Sequence, residues 1–391
     1  MSDDPFEEPV NQMGMLDDIT ILDFSHVYFG PYTTLILADM GANVLKIEPP
    51  WGEIARLYPP LFGGISSVFL YFNRNKKGMT LNLKDPKAKE IALELAERCD
   101  VVVENFKRGT MNKLGLGYEE IKKVKPDIIY ASLSGFGLDG PYSNRTSFAP
   151  IASSMSGWYR LNGDLNDPEG PPARSAEWHG DLDPALFGTI AILGAIRHHD
   201  KTGEGQVIDV SQLDSMIAQT GVSVTRYTMS GEFPWQASKK YMGLSTFGMF
   251  QAIDGYVYIA ADPYMVPRLA KGMDVEKLEK TEELIKWCSA RNVMEIVETL
   301  AAESIPVAPV YRIDQMLEDP HVKARGIITE IEHPTAGKVR SPGFPVKLSK
   351  SPATVRMPAP QLGEHNEEVL TELLGYTKGQ ITELKKAGVL G

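Results

Sequence analysis

Short apolar segments alternate with amphipathic segments along the first third of the chain. The segment ITILDFS, which begins at Ile19, is almost continuously apolar. After a Gly30-Pro31 break, the helical segment YTTLILADMGA leads into a second apolar segment, NVLKIE. Strands that are buried on both faces have this near-continuous apolar character. The pattern therefore predicts a strand, a helix and a second, parallel strand.

The same alternation continues further along the chain. It predicts a helix over residues 86–98, the strand DVVVENF, a helix that begins near Gly117-Tyr118 and the strand DIIYASLSGFG. A long apolar helix over residues 182–198 is followed by the turn KTGEGQ, the strand VIDVS and a helix that begins at Gln212. We therefore predict an α/β fold with an open, mostly parallel, doubly wound sheet in a large domain.

The pattern changes near Gly231, where a smaller α+β domain is predicted. FGMFQAIDGYVYIAA predicts a hairpin with an Asp254-Gly255 turn, and residues 275–304 are charged and helical. Residues 335–360 are rich in Pro, Gly, Ser and Lys, which is typical of a linker. The predicted organisation is an acidic tail (1–15), the large domain (16–230), the small domain with its linker (231–330), and a return linker with two helices that pack on the large domain (331–391).

Charge and cysteine content exclude several classes of partner. The net charge of -11 opposes binding to nucleic acid or to an anionic membrane. Cys99 and Cys288 are the only cysteines, which indicates neither a disulfide framework nor a metal site. No run of about 18 apolar residues is present to span a bilayer. We expect a cytoplasmic protein without metal, nucleic acid or membrane partners.

Polar residues mark the carboxyl ends of the predicted strands, where open α/β sheets bind ligands. These ends carry Ser25-His26, Glu48, Asn105-Phe106 and residues 134–137. They predict one cleft. No G-x-G-x-x-G or P-loop follows any of the strands, so nothing supports a conventional dinucleotide or nucleoside triphosphate site.

Asp181 is a candidate nucleophile. It follows Gly180 at the start of the long apolar helix, where backbone amides and the helix dipole favour an anion. The alternative is that Asp181 or Asp183 only caps this helix. The spacing alone does not separate the two interpretations.

Several long segments, in order, resemble the class III CoA transferase family, which includes formyl-CoA transferase and carnitine CoA-transferase-like proteins (CaiB/BaiF family). They are LDFSHVYFGPYTTLILADMGANVLKIEPP, YFNRNKKGMTLNLK, DVVVENFKRGTMNKLGLGYE, SLSGFGLDGPY, the Gly-Asp pair with its helix and KTGEGQ, and LGEHNEEVL. The resemblance extends from about Leu16 to the end of the chain.

This resemblance implies that Asp181 is the catalytic nucleophile. An acyl-aspartyl anhydride and an aspartyl-CoA thioester would carry CoA from an acyl-CoA donor to a free carboxylic acid. Coenzyme A and acyl-CoA are then substrates, with no tightly bound cofactor. The family fold implies a ring-shaped chain that forms an interlocked dimer, expected to be a homodimer, with a heteromer left open.

The resemblance also implies a CoA site and an acyl pocket. The CoA-binding residues would be His26, Val27, Arg74, Lys76, Asn105, Phe106 and Lys113, with a solvated loop as the alternative for the NRNKK segment. The acyl pocket would contain Tyr28, Phe29, His179, which could also tune the pKa of Asp181, and Gly243, within a lid over residues 241–248.

Two other functions remain open. Racemases of the same fold use a His and Asp pair, but Phe148 stands where their His would be, which favours transfer over racemisation. A noncatalytic subunit of a heteromeric transferase is the second alternative, and the presence of Asp181 argues against it.

Overall fold

The computed structural model describes residues 14–165, 167–233 and 244–391. These residues form two compact units. The first contains the described residues up to Val222 together with Ile327–Gly391, and the second is Ser223–Gly326.

A parallel sheet organises the first unit. Its strands are β1 (Thr20–Asp23), β2 (Asn43–Glu48), β5 (Lys76–Thr80), β6 (Val101–Glu104), β7 (Ile129–Ser134) and β8 (Val207–Ser211). Two short strands, β3 (Leu61–Phe62) and β4 (Ile65–Ser66), pair separately. The order in the sheet is β5-β2-β1-β6-β7-β8, with every neighbouring pair parallel. The winding direction thus reverses between β1 and β6, the position at which such sheets bind ligands.

Helices cover both faces of this sheet. The helices of the first unit up to Val222 are α1 (Phe29–Asp39), α2 (Ser67–Phe72), α3 (Pro86–Glu97), α4 (Thr110–Leu114), α5 (Tyr118–Val124), α6 (Ala149–Met155), α7 (Trp158–Asp164), α8 (His179–Thr202) and α9 (Gln212–Gln219). Helix α10 (Gly221–Ser230) begins at this boundary and belongs mostly to the second unit. Successive residues of β1 point to opposite faces. Leu22 packs in one apolar cluster with α3, and Ile21 in another with α1 and α8. The predicted α/β class with a parallel sheet is confirmed.

The later segments of the first unit differ in part from the prediction. The NRNKK segment ends in β5, a buried edge strand rather than a solvated loop. Within residues 335–360, β13 (Gly337–Pro342) pairs with β12 (Ile328–His333), so the first part of this segment is a hairpin strand. The helices α16 (Asn366–Leu374) and α17 (Lys378–Lys386) add Leu370 and Ile381 to the cluster around α3.

The second unit is a small α+β structure. Strands β9 (Phe247–Gln251), β10 (Tyr256–Ala260) and β11 (Val307–Pro309) form an antiparallel sheet in the order β11-β10-β9. The predicted hairpin is therefore confirmed. Its helices are α11 (Val266–Gly272), α12 (Thr281–Ser289), α13 (Val293–Ala302), α14 (Ile313–Glu318) and α15 (Pro320–Arg325). In the described ranges of both units, no helix has the length and apolar character needed to cross a membrane.

Candidate functional site

A cavity of about 270 Å³ opens at the carboxyl edge of the parallel sheet, at the reversal between β1 and β6. Its walls come from the segments that follow β1, β6 and β7, from the loop before α6, and from the first residues of α8 and α9. The structure brings together seven predicted site residues here, namely His26, Val27, Tyr28, Phe29, Asn105, Phe106 and Asp181.

Asp181 lies in the first turn of α8 and lines this cavity. The Gln212 side chain, at the start of α9, donates a hydrogen bond from Nε2 to Asp181 Oδ1 at 2.5 Å. Burial raises the pKa of Asp181 to about 7, and the hydrogen bond from Gln212 opposes this rise. A carboxyl group that changes protonation near neutral pH is typical of an active site.

Asn105 ties the ends of β1 and β6 together beside the cavity. The His26 backbone N–H donates to Asn105 Oδ1 at 2.8 Å, and Asn105 Nδ2 donates to the His26 carbonyl oxygen at 2.8 Å. The imidazole of His26 packs edge to face against Phe106. Burial lowers the pKa of His26, so its imidazole is neutral at neutral pH. The hydrogen bonds with Asn105 and the packing against Phe106 therefore fix the position of a neutral imidazole in the wall of the cavity.

Val27 has a φ of 72°, an uncommon conformation for a β-branched residue. Such a backbone costs on the order of 1–3 kcal/mol and persists only where its surroundings hold it. Here the Val27 N–H donates to Glu53 Oε2 at 2.7 Å. The other oxygen of Glu53 lies 2.9 Å from Lys46 Nζ, and Lys46 donates to the Ser25 carbonyl at 2.7 Å. A buried ion pair thus supports the strained segment that lines the cavity.

Three cations also line the cavity, and sequence reasoning missed two of them, Lys107 and Arg145. Arg108, which lies in the segment DVVVENFKRGTMNKLGLGYE that carries part of the family resemblance, donates to Ser143 Oγ at 2.7 Å. The Arg145 guanidinium lies 3.7 Å from the ring centre of Tyr142. Among the described residues, no carboxylate forms an ion pair with any of the three cations. The signal for Lys107 was its place directly after Asn105-Phe106, at the end of β6.

Three predicted CoA-binding cations lie elsewhere. Arg74 is buried and forms an ion pair with Asp39 at 2.6 Å. Lys76 Nζ is fully buried and contacts Asp23, Thr34 and Asn73 at 2.8 to 3.2 Å. Arg74 and Lys76 therefore have partners inside the protein and do not line the cavity, and their binding to CoA stays a prediction. Lys113 is exposed on α4 and does not line the cavity.

The remaining predictions concern the acyl pocket. His179 Nδ1 lies 3.4 Å from Asp183 Oδ1, and its ring packs near Trp158. His179 therefore faces Asp183, and the pKa of Asp181 is set by burial and Gln212 instead. Gly243, with residues 241–242 of the predicted lid, lies outside the described residues. The described ranges contain no group of three or more His, Cys, Asp or Glu side chains suited to a metal ion.

Known proteins are similar to this chain in sequence and in fold. The chain is 35% identical to succinyl-CoA:mesaconate CoA-transferase of Haloarcula marismortui, over 92% of this chain and 96% of that protein. It is 33% identical to human succinyl-CoA:glutarate CoA-transferase, over 98% of this chain and 92% of that protein. The crystal structure of a CaiB/BaiF family protein from Brucella suis matches with a TM-score of 0.83 and 26% identity, over 93% of this chain and all of that one.

The fold and these similarities define a CoA-transferring enzyme with a doubly wound α/β sheet. Residues 16–366 match the family described as CoA-transferase family III. The chain belongs to that family.

Proposed function

We propose that this enzyme moves CoA from a dicarboxylic acyl-CoA, such as succinyl-CoA, to a second dicarboxylic acid, with Asp181 as the nucleophile. The observation that carries this proposal is the Asp181 carboxyl on the wall of the cavity, held by Gln212 at the switch point of the sheet. The similar proteins from Haloarcula marismortui and human are named for succinyl-CoA with mesaconate or glutarate, all of them dicarboxylic.

In the proposed mechanism, the Asp181 carboxylate attacks the donor thioester and expels CoA thiolate, which leaves a mixed anhydride on the enzyme. The thiolate then attacks Asp181, which releases the first acid and leaves an aspartyl-CoA thioester. The acceptor carboxylate reverses this sequence to form its own acyl-CoA. Because every intermediate stays activated, no ATP is consumed.

The three cations beside the cavity support binding of an anionic substrate. Lys107, Arg108 and Arg145 supply local positive charge in a protein whose net charge is -11. CoA carries phosphates, and a dicarboxylic acid retains a carboxylate at its far end; guanidinium groups bind both kinds of anion well. The aromatic rings of Tyr28, Phe106 and Phe148 provide the apolar walls.

Intact-protein mass spectrometry tests the nucleophile and the donor together. The enzyme is incubated with a panel of acyl-CoAs, treated with hydroxylamine, and the modified peptide is mapped. A hydroxylamine-sensitive adduct on Asp181 with succinyl-CoA supports the proposal. If no donor labels Asp181 and solvent deuterium enters the α-position of 2-methylacyl-CoA without an acceptor acid, the enzyme is a racemase. If neither occurs until another chain is added, it is a subunit of a heteromer.

The pH dependence of kcat/KM is expected to report the pKa of Asp181. Only the ionised carboxylate is a nucleophile, so kcat/KM should rise about tenfold per pH unit below the pKa and level off above it. With a pKa of about 7, the bend should fall near pH 7. Steady-state rates from pH 5.5 to 9 check this, and a flat profile would show that another group limits the reaction.

Replacing Arg145 with Gln is expected to raise KM for acyl-CoA about tenfold with little change in kcat. One charge-assisted contact contributes about 1.5–3 kcal/mol, and exposure places Arg145 at the low end. Lys123→Gln, an exposed cation of α5 away from the cavity, is the control. Equal KM values for the two variants would show that Arg145 does not bind acyl-CoA.

We further propose a ring-shaped chain in an interlocked homodimer that works in the cytoplasm. Helix α10 supports the dimer, because it has no buried residue in the single chain, and Val222 and Met229 are 79% and 83% exposed. Light scattering should give twice the chain mass. Interlocked subunits should not exchange between tagged and untagged dimers without unfolding; rapid exchange argues against the interlock.

A further inference from the structure

The two oxygens of the Asp181 carboxyl have different surroundings. Oδ1 accepts the hydrogen bond from Gln212 Nε2. Within the described ranges, no hydrogen bond reaches Oδ2. Gln212 is only 5% exposed, and it begins a helix whose N-cap, Ser211, is the last residue of β8. The amide is therefore held against one chosen oxygen.

The ionised carboxylate of Asp181 fixes which end of the Gln212 amide faces it, because a carboxylate only accepts hydrogen bonds whereas the Ser147 hydroxyl can donate or accept. The Ser147 hydroxyl lies 3.1 Å from Gln212 Oε1 and donates to it. A flipped amide would place a carbonyl oxygen against the ionised carboxylate, which is repulsive. The orientation that satisfies both neighbours points the N–H at Oδ1.

We infer that Gln212 is a catalytic residue, whose Nε2–H stabilises the negative charge that forms on Asp181 Oδ1 when the γ-carbon of Asp181 is attacked. This inference rests on the proposed function, in which Asp181 is acylated. Since Gln212 holds Oδ1, the oxygen that bonds to the acyl group is Oδ2. Oδ1 then becomes the carbonyl oxygen of the aspartyl half of the anhydride and keeps its hydrogen bond.

The electron balance places the charge beside Gln212. CoA thiolate forms a bond from sulfur to Cγ, and the π electrons of the Cγ carbonyl move onto Oδ1. When the tetrahedral centre collapses, the bond from Cγ to the acyl-bearing oxygen breaks, and the first acid leaves as its carboxylate. Attack of the acceptor carboxylate on the aspartyl-CoA thioester again puts the charge on Oδ1, and thiolate leaves. A positioned donor is worth most where such an oxyanion develops.

Gln212 thus serves two of the four acyl-transfer steps. In the other two steps, the first acylation and the final release of acyl-CoA, the tetrahedral carbon belongs to the substrate. Loss of the Gln212 amide should therefore interrupt the sequence between two covalent intermediates, not at its start.

The test is a quenched single turnover with succinyl-CoA and no acceptor, followed by mass spectrometry. Wild type should pass through the acyl anhydride to aspartyl-CoA. In Gln212→Leu, anhydride should still form, whereas conversion to aspartyl-CoA should slow about 10²- to 10³-fold. Gln212→Glu has a similar shape but no N–H when it is ionised, so it should show the same slow conversion as Gln212→Leu. Gln219→Leu, at the exposed end of the same helix, should match wild type.

Measurement at pH 9 separates stabilisation of the oxyanion from ionisation of Asp181. At this pH the Asp181 carboxyl should be ionised in wild type and in Gln212→Leu. If conversion of the anhydride to aspartyl-CoA is still slow in Gln212→Leu at pH 9, the inference is supported. If Gln212→Leu slows only the formation of the anhydride, and this slowing disappears at pH 9, Gln212 acts only by favouring the ionised carboxylate and the catalytic role is wrong.

The experiment distinguishes failure of the proposed function from failure of the role of Gln212. If wild type forms no adduct on Asp181 with any donor, the proposed function itself fails. If wild type forms both intermediates and Gln212→Leu converts one into the other at the wild-type rate, the proposed function stands and the role of Gln212 is overturned.

Discussion

Asp181→Asn is expected to abolish CoA transfer, by at least about 10³-fold in kcat, and to leave the folded protein more stable than wild type. The loss follows because an amide cannot form the anhydride. The gain in stability follows because burial of the Asp181 carboxylate costs free energy in wild type, whereas the asparagine amide carries no charge. Exchange of labelled CoA and thermal unfolding of the same samples measure both effects.

The gain in stability should depend on pH. The pKa of Asp181 is raised to about 7 in the folded protein, from an ordinary value of 3.8. The folded state then holds its proton more tightly than the unfolded state, so wild type loses stability as pH rises from about 4 to about 7. Asp181→Asn should exceed wild type by about 1–3 kcal/mol in the free energy of unfolding at pH 8, and by little at pH 4.

Asp183→Asn is the matched control, since Asp183 lies in the same turn and faces His179. It should retain transfer. Loss of CoA binding in Asp181→Asn, together with residual turnover, would contradict the role of Asp181. If Asp183→Asn inactivates the enzyme and Asp181→Asn does not, the nucleophile is Asp183.

Lys46→Met is expected to destabilise the protein by about 3–5 kcal/mol, because it leaves the Glu53 carboxylate buried without its partner. Both side chains of the pair are fully buried. Transfer should fall as well, since Glu53 and Lys46 hold Val27 and Ser25 beside the cavity. Urea unfolding and steady-state kinetics are the measurements.

The double variant Lys46→Met with Glu53→Gln should recover a large part of that stability, because no unpaired charge remains. Lys77→Met is the control. Its pair with Glu368 is about one third exposed, so its loss should cost less than about 1 kcal/mol. A cost below about 1 kcal/mol for Lys46→Met as well would mean that Glu53 takes up a proton without penalty.

The parallel sheet and the edge that carries the site were predictable because they follow from short-range patterns. Near-continuous apolar strands indicated both burial and parallel pairing, and the carboxyl ends of β1 and β6 indicated His26 and Asn105. Parallel strands end at one edge, so residues distant in sequence meet without any need to know their distances.

The cations were harder to place because charge alone does not tell which side of a strand a residue occupies. Arg74 and Lys76 belong to a basic segment whose composition is typical of a solvated loop. Both are buried, because Arg74 forms an ion pair with Asp39 and Lys76 forms one with Asp23. These partners lie far away in sequence and carry no local signal. Gln212 was missed as a chemical group for the same reason: its partner is Asp181, 31 residues earlier.

The divided origin of the cavity walls has an evolutionary consequence. The walls come from several separate segments of the chain, whereas the apolar clusters that stabilise the sheet lie on its two faces. A substitution at exposed Phe148 changes the room available to an acid without altering the packing around Ile21 or Leu22. Acid preference can therefore diverge between descendants of one ancestor while Asp181 and the sheet remain unchanged.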